Sequence, residues 1–312
     1  YPEMVDIDND GDLDLFFGTD IDLSSFPWSG KVKYFKNINN DENPVWELID
    51  SELLGGEVGN NLSIEFADID LDGDFDIFLG NFNGTVMFFK NIGDSYNHQF
   101  VYEGEVEGID LSGYSVPKLI DIDNDLDLDL FIGSMNGQIA FYENSGTVNE
   151  FNFNFITENY QNIFVNSRSS IDFIDIDNDM DLDLLVGSEY ENLKYYKNQG
   201  SVFNSEFIFQ ENIEFPFVGL NTVPFSYKRN SNTDFIIGTS TGGAYHLSLD
   251  TCFIYGDLNQ DLMLDVVDVV YIINIILGLE NYNNSCSLDL NNDINIDILD
   301  VLLLIDLILG QM

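Results

Sequence analysis

Residues 6–18 read DIDNDGDLDLFFG: aspartates alternate with other residues, and an apolar run closed by glycine follows at once. The string returns as DIDLDGDFDIFLG from Asp68, DIDNDLDLDLFIG from Asp121 and DIDNDMDLDLLVG from Asp175. A fifth, eroded copy at 226–238, SYKRNSNTDFIIG, keeps Asp234 and the apolar ending. Carboxylates packed this closely repel one another by roughly 1 to 4 kcal/mol per pair. A chain that repeats the arrangement needs something to cancel the charge.

The flanks repeat as well. A short β-type run precedes the acidic loops (62–67, 116–120, 170–174), and an aromatic-rich run follows a Gly- or Asn-marked turn (31–35, 85–89, 138–142, 193–196). A fourth run closes most units (45–49, 100–103, 153–157, 207–210). Three aromatic runs end in Lys-Asn (Lys36 and Asn37, Lys90 and Asn91, Lys197 and Asn198), whereas the other ends in Glu143 and Asn144. Units of about 50 residues with four short strands predict propeller blades, because a sheet this small buries both faces only by stacking on neighbours. The expected fold class is all-β: a β-propeller of four-stranded blades over residues 1–249, five blades visible, the fifth without a clear fourth strand.

The D-x-D-x-D-G-x-x-D loop, with glycine shortly beyond it, resembles the FG-GAP or VCBS-type repeats of bacterial surface proteins and the integrin alpha-subunit propeller. The resemblance covers residues 1–249 and implies that each loop joins the first two strands of a blade and holds calcium. It also implies a larger ring, seven-bladed and truncated at its N-terminus, with a closed five-bladed ring as the alternative. Calcium takes six to eight oxygen ligands, which alternating loop positions supply. In the first loop Asp6, Asp8, Asp10 and Asp14 fit positions one, three, five and nine, with the Asp12 carbonyl at seven. The equivalents are Asp68, Asp70, Asp72, Asp74 and Asp76; Asp121, Asp123, Asp125, Asp127 and Asp129; and Asp175, Asp177, Asp179, Asp181 and Asp183. Position six is Gly11 and Gly73 in two loops but Leu126 and Met180 in the others. Positive φ at that position costs a bulky residue about 1 to 2 kcal/mol, so weaker binding is expected in the third and fourth loops. In the fifth unit Lys228, Arg229 and Asn230 stand where acids belong, and a fixed cation is expected in place of metal.

After residue 249 the pattern changes. Residues 257–268 read DLNQDLMLDVVD and 289–300 read DLNNDINIDILD, each followed by an apolar helical stretch. Asp257, Asn259, Asp261, Met263, Asp265 and Asp268, then Asp289, Asn291, Asp293, Asn295, Asp297 and Asp300, take positions one, three, five, seven, nine and twelve of an EF-hand-like loop, Met263 and Asn295 through their carbonyls. The duplication, with Asp at twelve, resembles a dockerin and implies a small all-α calcium-binding domain over 250–312 that docks to a cohesin-like or other protein partner. Leu262 and Ile294 depart from Gly at position six, and Val266, Val267, Ile298 and Leu299 depart from the hydroxyl residues that cellulosomal dockerins carry. The helices expected at 266–279 and 300–309 are apolar nearly all round, which implies burial on more than one side. Cys252 and Cys286 each precede a loop. A disulfide between them would stabilise this region by roughly 3 to 4 kcal/mol and needs an oxidising compartment; two free thiols are the alternative.

Lys and Arg total 10 against 56 Asp and Glu, a formal charge of −46 over 312 residues. That balance excludes nucleic acid and anionic membrane as partners and favours cations. About half of the acids fall in the six loops, so about six calcium ions are expected. No apolar run reaches the roughly 18 residues a spanning helix needs. The first residue is Tyr1, without a leader, so a processed or cut N-terminus is expected. The only imidazoles, His98 and His246, have no nucleophile motif beside them. Interchangeable acidic loops suit a scaffold better than the unique carboxylate pair of a glycosidase. Trp28 and Trp46 fit either sugar stacking or blade cores. The expected role is a secreted or cell-surface bacterial protein, calcium-binding and non-catalytic, whose propeller presents a glycan or protein ligand while the tail mediates assembly. The alternatives are the accessory C-terminal part of a larger polysaccharide-degrading enzyme of glycoside hydrolase type, or a lectin-like propeller. Dissociation constants near 10⁻⁴ to 10⁻³ M, typical of extracellular calcium modules, fit that location.

Overall fold

The computed structural model describes residues 1–312 apart from 24–27, 42, 57, 148–149, 178, 211–214, 216–218, 230–231, 241–243, 249–255, 259–263, 280–287, 289, 291–294 and 311–312. The first blade comprises β1 (Pro2–Val5), β2 (Asp14–Gly18), β3 (Val32–Asn37) and β4 (Trp46–Asp50). The second comprises β5 (Ser63–Ala67), β6 (Asp76–Gly80), β7 (Val86–Asn91) and β8 (Phe100–Glu105). The third comprises β9 (Ser115–Ile120), β10 (Asp129–Ser134), β11 (Ile139–Asn144) and β12 (Phe153–Thr157). The fourth comprises β13 (Ser170–Ile174), β14 (Asp183–Gly187), β15 (Lys194–Asn198) and β16 (Phe207–Phe209). The fifth shows β17 (Val223–Arg229), β18 (Asn232–Gly238) and β19 (Ala244–Ser248) among the described residues. Every blade is an antiparallel meander in chain order.

Burial explains why the units stack. β5, β6, β13 and β14 are buried along their whole length, whereas the outer strand β4 is largely exposed. Each gap between blades is filled by its own apolar cluster. Phe16 and Tyr34 meet Ile64 and Leu79 between blades 1 and 2; Phe78 and Val86 meet Leu119 and Ile132 between blades 2 and 3. Phe131 and Ile139 meet Ile171 and Val186 between blades 3 and 4, and Leu185 and Tyr195 meet Phe235 and Ile237 between blades 4 and 5.

A further cluster, Met4 and Leu15 against Phe225, joins blade 5 to blade 1. The ring therefore closes with five blades, β17 beside β1, and the seven-bladed expectation gives way to its five-bladed alternative. The glycine that ends each acidic motif has a steric cause. A Cβ on Gly18, Gly80, Gly133 or Gly187 would come 2.0 to 2.3 Å from the carbonyl oxygen of Leu62, Ser115, Ser169 or Thr222 in the next blade. Gly238 repeats the contact across the closure, where a Cβ would meet Pro2 Cδ at 2.8 Å.

Beyond the propeller lie α1 (Val266–Ile276) and α2 (Ile298–Gly310), packed through Val269, Ile272, Val301 and Leu304. Leu264 touches both this cluster and the one between blades 4 and 5. The boundary expected at 249 and 250 lies outside the described residues. Among the described residues no helix is long and apolar enough to cross a membrane.

Candidate metal-binding loops

In blades 1 to 4 the loop runs from the end of the first strand to the start of the second, and it is built the same way each time. The aspartate at position one uses both oxygens on the backbone. Asp6 accepts from the N–H of Asp10 at 3.1 Å and of Gly11 at 2.9 Å, and Asp68 accepts from Asp72 and Gly73 at 3.0 and 3.1 Å. Asp121 and Asp175 repeat the pair with Asp125 and Leu126, and with Asp179 and Met180, all at 3.1 Å. Two left-handed residues make this turn possible: Asn9, Leu71 and Asn124 at position four (φ 54°, 54° and 59°), then Gly11, Gly73, Leu126 and Met180 at position six (φ 94°, 93°, 78° and 76°). Position six thus requires positive φ. Leu126 and Met180 adopt it with side chains 78% and 83% exposed.

The turn gathers carboxylates. Oxygens of Asp6, Asp8 and Asp10 lie within 4.8 Å of one another, as do those of Asp68, Asp70 and Asp72, of Asp121, Asp123 and Asp125, and of Asp175, Asp177 and Asp183. At position three, Oδ1 of Asp8, Asp123 and Asp177 is buried without a hydrogen-bond partner. At position seven the side chain shares this state, contrary to the expectation that only its carbonyl matters: Oδ1 of Asp74, Asp127 and Asp181 is buried and unpartnered, with Asp74 only 7% exposed. Burial, then the neighbouring Asp72 and Asp68 carboxylates, pushes Asp74 up to about 6. Buried acceptors with nothing to accept from are costly. The donor set, hard oxygens in excess, fits a cation of the calcium type.

Position nine is set deeper. Asp14, Asp76, Asp129 and Asp183 begin the second strands, and each Oδ1 accepts the N–H of Asn37, Asn91, Asn144 or Asn198 at 2.7 to 2.8 Å. Burial raises Asp14 to about 6 and the other three to about 7. Tyr34 and Tyr195 donate to Asp14 and Asp183 at 3.0 Å. Only in the fourth loop does position nine join the close group of oxygens.

A lysine from the third strand enters three of the loops. Lys36 pairs with Asp8 and, at 3.0 Å, with Asp10; Lys90 pairs with Asp70; Lys197 pairs with Asp177. The third loop has Glu143 at that register, and burial together with the Asp125, Asp121 and Glu143 carboxylates raises Asp123. The fifth unit differs from its expected form. Tyr227 pairs with Asp234 as Val5 pairs with Asp14, but the ladder continues through Lys228 with Thr233 and Arg229 with Asn232. The continued strand ladder takes the place of the cage, Lys228 is exposed, and Asp234 Oδ2 meets His246 Nε2 at 3.1 Å.

In the C-terminal region the two halves match. Asp268 accepts from Leu258 at 2.8 Å and from Asp265 at 2.9 Å, while Asp300 accepts from Leu290 at 2.9 Å and from Asp297 at 2.8 Å. Asp265 and Asp297 cap the helices through the N–H groups of Val267 and Leu299. Asp257 is buried and Asn295 exposed. Asn259, Asp261, Met263, Asp289, Asn291, Asp293, Cys252 and Cys286 lie outside the described residues.

Comparison with solved structures finds a likeness to an engineered GH43 glycoside hydrolase that displays both endo-xylanase and exo-arabinofuranosidase activity, at 10% identity and a TM-score of 0.40. The alignment covers 80% of this chain and 50% of that one, so this chain spans half the length of that protein. No curated protein matches the sequence. The family described as FG-GAP-like repeat matches residues 6–79 and 121–186. All four aspartate loops lie inside those two segments, so the propeller carries FG-GAP-like repeats.

Proposed function

We infer that the chain is a calcium-dependent, non-catalytic binding and adhesion protein that works outside the cell. Four calcium ions would be held by the loops at Asp6, Asp68, Asp121 and Asp175. The observation that carries this is the set of buried, unpartnered carboxylate oxygens that recurs at positions three and seven. Calcium supplies the positive charge these oxygens lack, and the loops then fix the bases of blades 1 to 4. Repetition of one loop on a ring makes the ions part of the scaffold and leaves the rest of the propeller surface for a ligand.

The tail is read as a dockerin-like assembly module with two further calcium loops. Val266, Val267 and Val270 on α1, and Ile298, Leu299 and Leu302 on α2, are exposed apolar residues at matching positions of the two halves. A protein partner, cohesin-like or otherwise, is proposed to cover them.

Thermal unfolding of the whole chain in calcium and in chelator tests the reading. The midpoint is expected to rise strongly with calcium and little with magnesium, which resists flexible cages built from protein oxygens. Equal midpoints in calcium and chelator would remove it.

A further inference from the structure

The turns that lead into β5, β9, β13 and β17 each hold a non-glycine residue in the left-handed region: Asn61 (φ 51°), Tyr114 (φ 50°), Arg168 (φ 48°) and Asn221 (φ 52°). Asparagine tolerates this conformation well, whereas bulkier residues are strained in it. Blades 3 and 4 nevertheless use Tyr and Arg, and the two act as one unit. Arg168 Nη2 donates to the Tyr114 hydroxyl at 2.5 Å, and the guanidinium lies 4.1 Å from the ring centroid. Strain kept at adjacent turns is a pointer to binding.

Three of these turns border a cavity. Asn61, Arg168 and Asn221 line a space of about 510 Å³ at the ends of the blades where β2 and β18 finish at Gly18 and Gly238, opposite the aspartate loops. Its volume falls within the range of small-molecule sites.

The wall chemistry selects the occupant. Phe17 and Phe35, edge to face at 6.0 Å, supply an apolar side. Arg168 and Lys33 already stand beside Glu189 (3.7 Å) and Asp22 (3.3 Å), so neither lining cation is left for an anionic ligand, and the Asp20 carboxylate accepts from Asn61 at 2.7 Å. The unmet groups call for hydrogen bonds: Asn221 Oδ1 is a buried acceptor and Arg168 Nε a buried donor, neither with a hydrogen-bond partner. A hydroxyl both donates and accepts. A ring with several hydroxyls and one C–H face satisfies the polar and the apolar side together.

We propose that this axial mouth binds a neutral sugar ring, held by Arg168 and Asn221 and covered on one face by Phe17 and Phe35. The proposal rests on the adhesion reading above and names its ligand. The test uses the calcium-loaded full chain on an array of neutral and carboxylated glycans, followed by calorimetric titration of any retained sugar. Saturable retention of neutral glycans is expected. Arg168→Asn and Tyr114→Asn install the residue that blades 2 and 5 already use: Arg168→Asn, at a partly exposed side chain, should leave the unfolding midpoint near the parent's, Tyr114→Asn, which empties a buried site beside Phe82, should lower it, and both should weaken retention at least about tenfold. Retention of carboxylated glycans alone, retention unchanged by both substitutions, or no retention by a cooperatively folding protein would overturn the proposal. A midpoint that ignores calcium counts instead against the scaffold reading, because that measurement contains no sugar.

Discussion

The Lys118 ammonium of β9 lies 3.2 Å from the Asp172 carboxylate of β13, and it also reaches Glu65 at 3.1 Å and Glu3 at 3.6 Å. These residues occupy one register: Glu3, Glu65, Lys118, Asp172 and Phe225 pair with Phe16, Phe78, Phe131, Leu185 and Ile236 of the second strands. Phe225 offers its ring to the ammonium at 5.5 Å, and Ser226 donates its N–H to Asp172 at 2.5 Å. All five blades thus meet at one largely buried lysine on the propeller axis. Lys118→Met would leave three buried carboxylates without a cation and is expected to cost about 3 to 5 kcal/mol in chemical unfolding.

The same cluster sets a pH dependence. Burial, and then the Glu65 and Asp172 carboxylates, hold Glu3 well above its ordinary 4.5 in spite of Lys118. A carboxyl raised in the fold binds its proton more tightly there than in the unfolded chain, so its contribution is fully present below about pH 4.5 and is lost as pH rises through the folded value. Glu3→Gln keeps the shape and removes the titration. With calcium saturating, its unfolding midpoint should exceed that of the parent chain at neutral pH and converge with it below pH 4.5. A constant difference at every pH would refute this role.

Position six offers a stability test. Leu126 and Met180 hold φ of 78° and 76° with exposed side chains, so glycine there loses little contact and relieves backbone strain. Leu126→Gly and Met180→Gly should each add about 1 kcal/mol to denaturant stability in calcium, and Gly11→Leu should remove a similar amount.

Much of this was legible in the sequence, for a physical reason. A stacked repeat must present the same apolar run and the same turn in each unit, so the strands, the loops and the positive φ at position six can be read from one copy. Other features come from convergence. Glu3, Glu65, Lys118, Asp172 and Phe225 are chemically unlike, and only the ring brings them together. Closure depends on Met4, Leu15 and Phe225, which lie outside the acidic motif, so blade number was hidden. The fifth loop has lost the acidic start of its motif, and its ladder alone fixes the register at Asp234. Asp74 and Asp127 are legible as loop residues, but the burial of their side chains is not, because EF-hand precedent assigns position seven to a carbonyl.

On the calcium reading proposed above, Glu143 is expected to reverse the ranking of the loops that glycine alone suggests. Lys36, Lys90 and Lys197 bring a positive charge to three loops, whereas the third receives a carboxylate at the same register. A charge changed from + to − some ångströms from a divalent ion alters binding by roughly 1 to 4 kcal/mol per unit charge in these surroundings. Glu143→Lys should therefore weaken the tightest site seen in a calcium titration about tenfold or more, while Lys90→Glu should strengthen a weaker one by a similar factor. Luminescence of bound terbium resolves the two. A titration curve that neither substitution moves would exclude the assignment.

If the loops hold calcium as proposed, calcium and pH should act against each other at position nine. Without a cation, burial raises Asp14 to about 6 and Asp76, Asp129 and Asp183 to about 7, against an ordinary 3.8. Such aspartates stabilise the metal-free fold below about pH 3.8, and that contribution is lost as pH rises toward 7. Divalent binding favours the deprotonated form, so protons leave as calcium enters. The rise in unfolding midpoint on adding calcium should be small near pH 4.5 and grow steadily to pH 7.5, and calorimetry at pH 6.5 in buffers of different ionisation enthalpy should report net proton release. Asp76→Asn and Asp129→Asn remove one titrating group each and should reduce that release. A calcium effect of equal size at pH 4.5 and 7.5 would mean that these carboxyls carry no proton for the metal to displace.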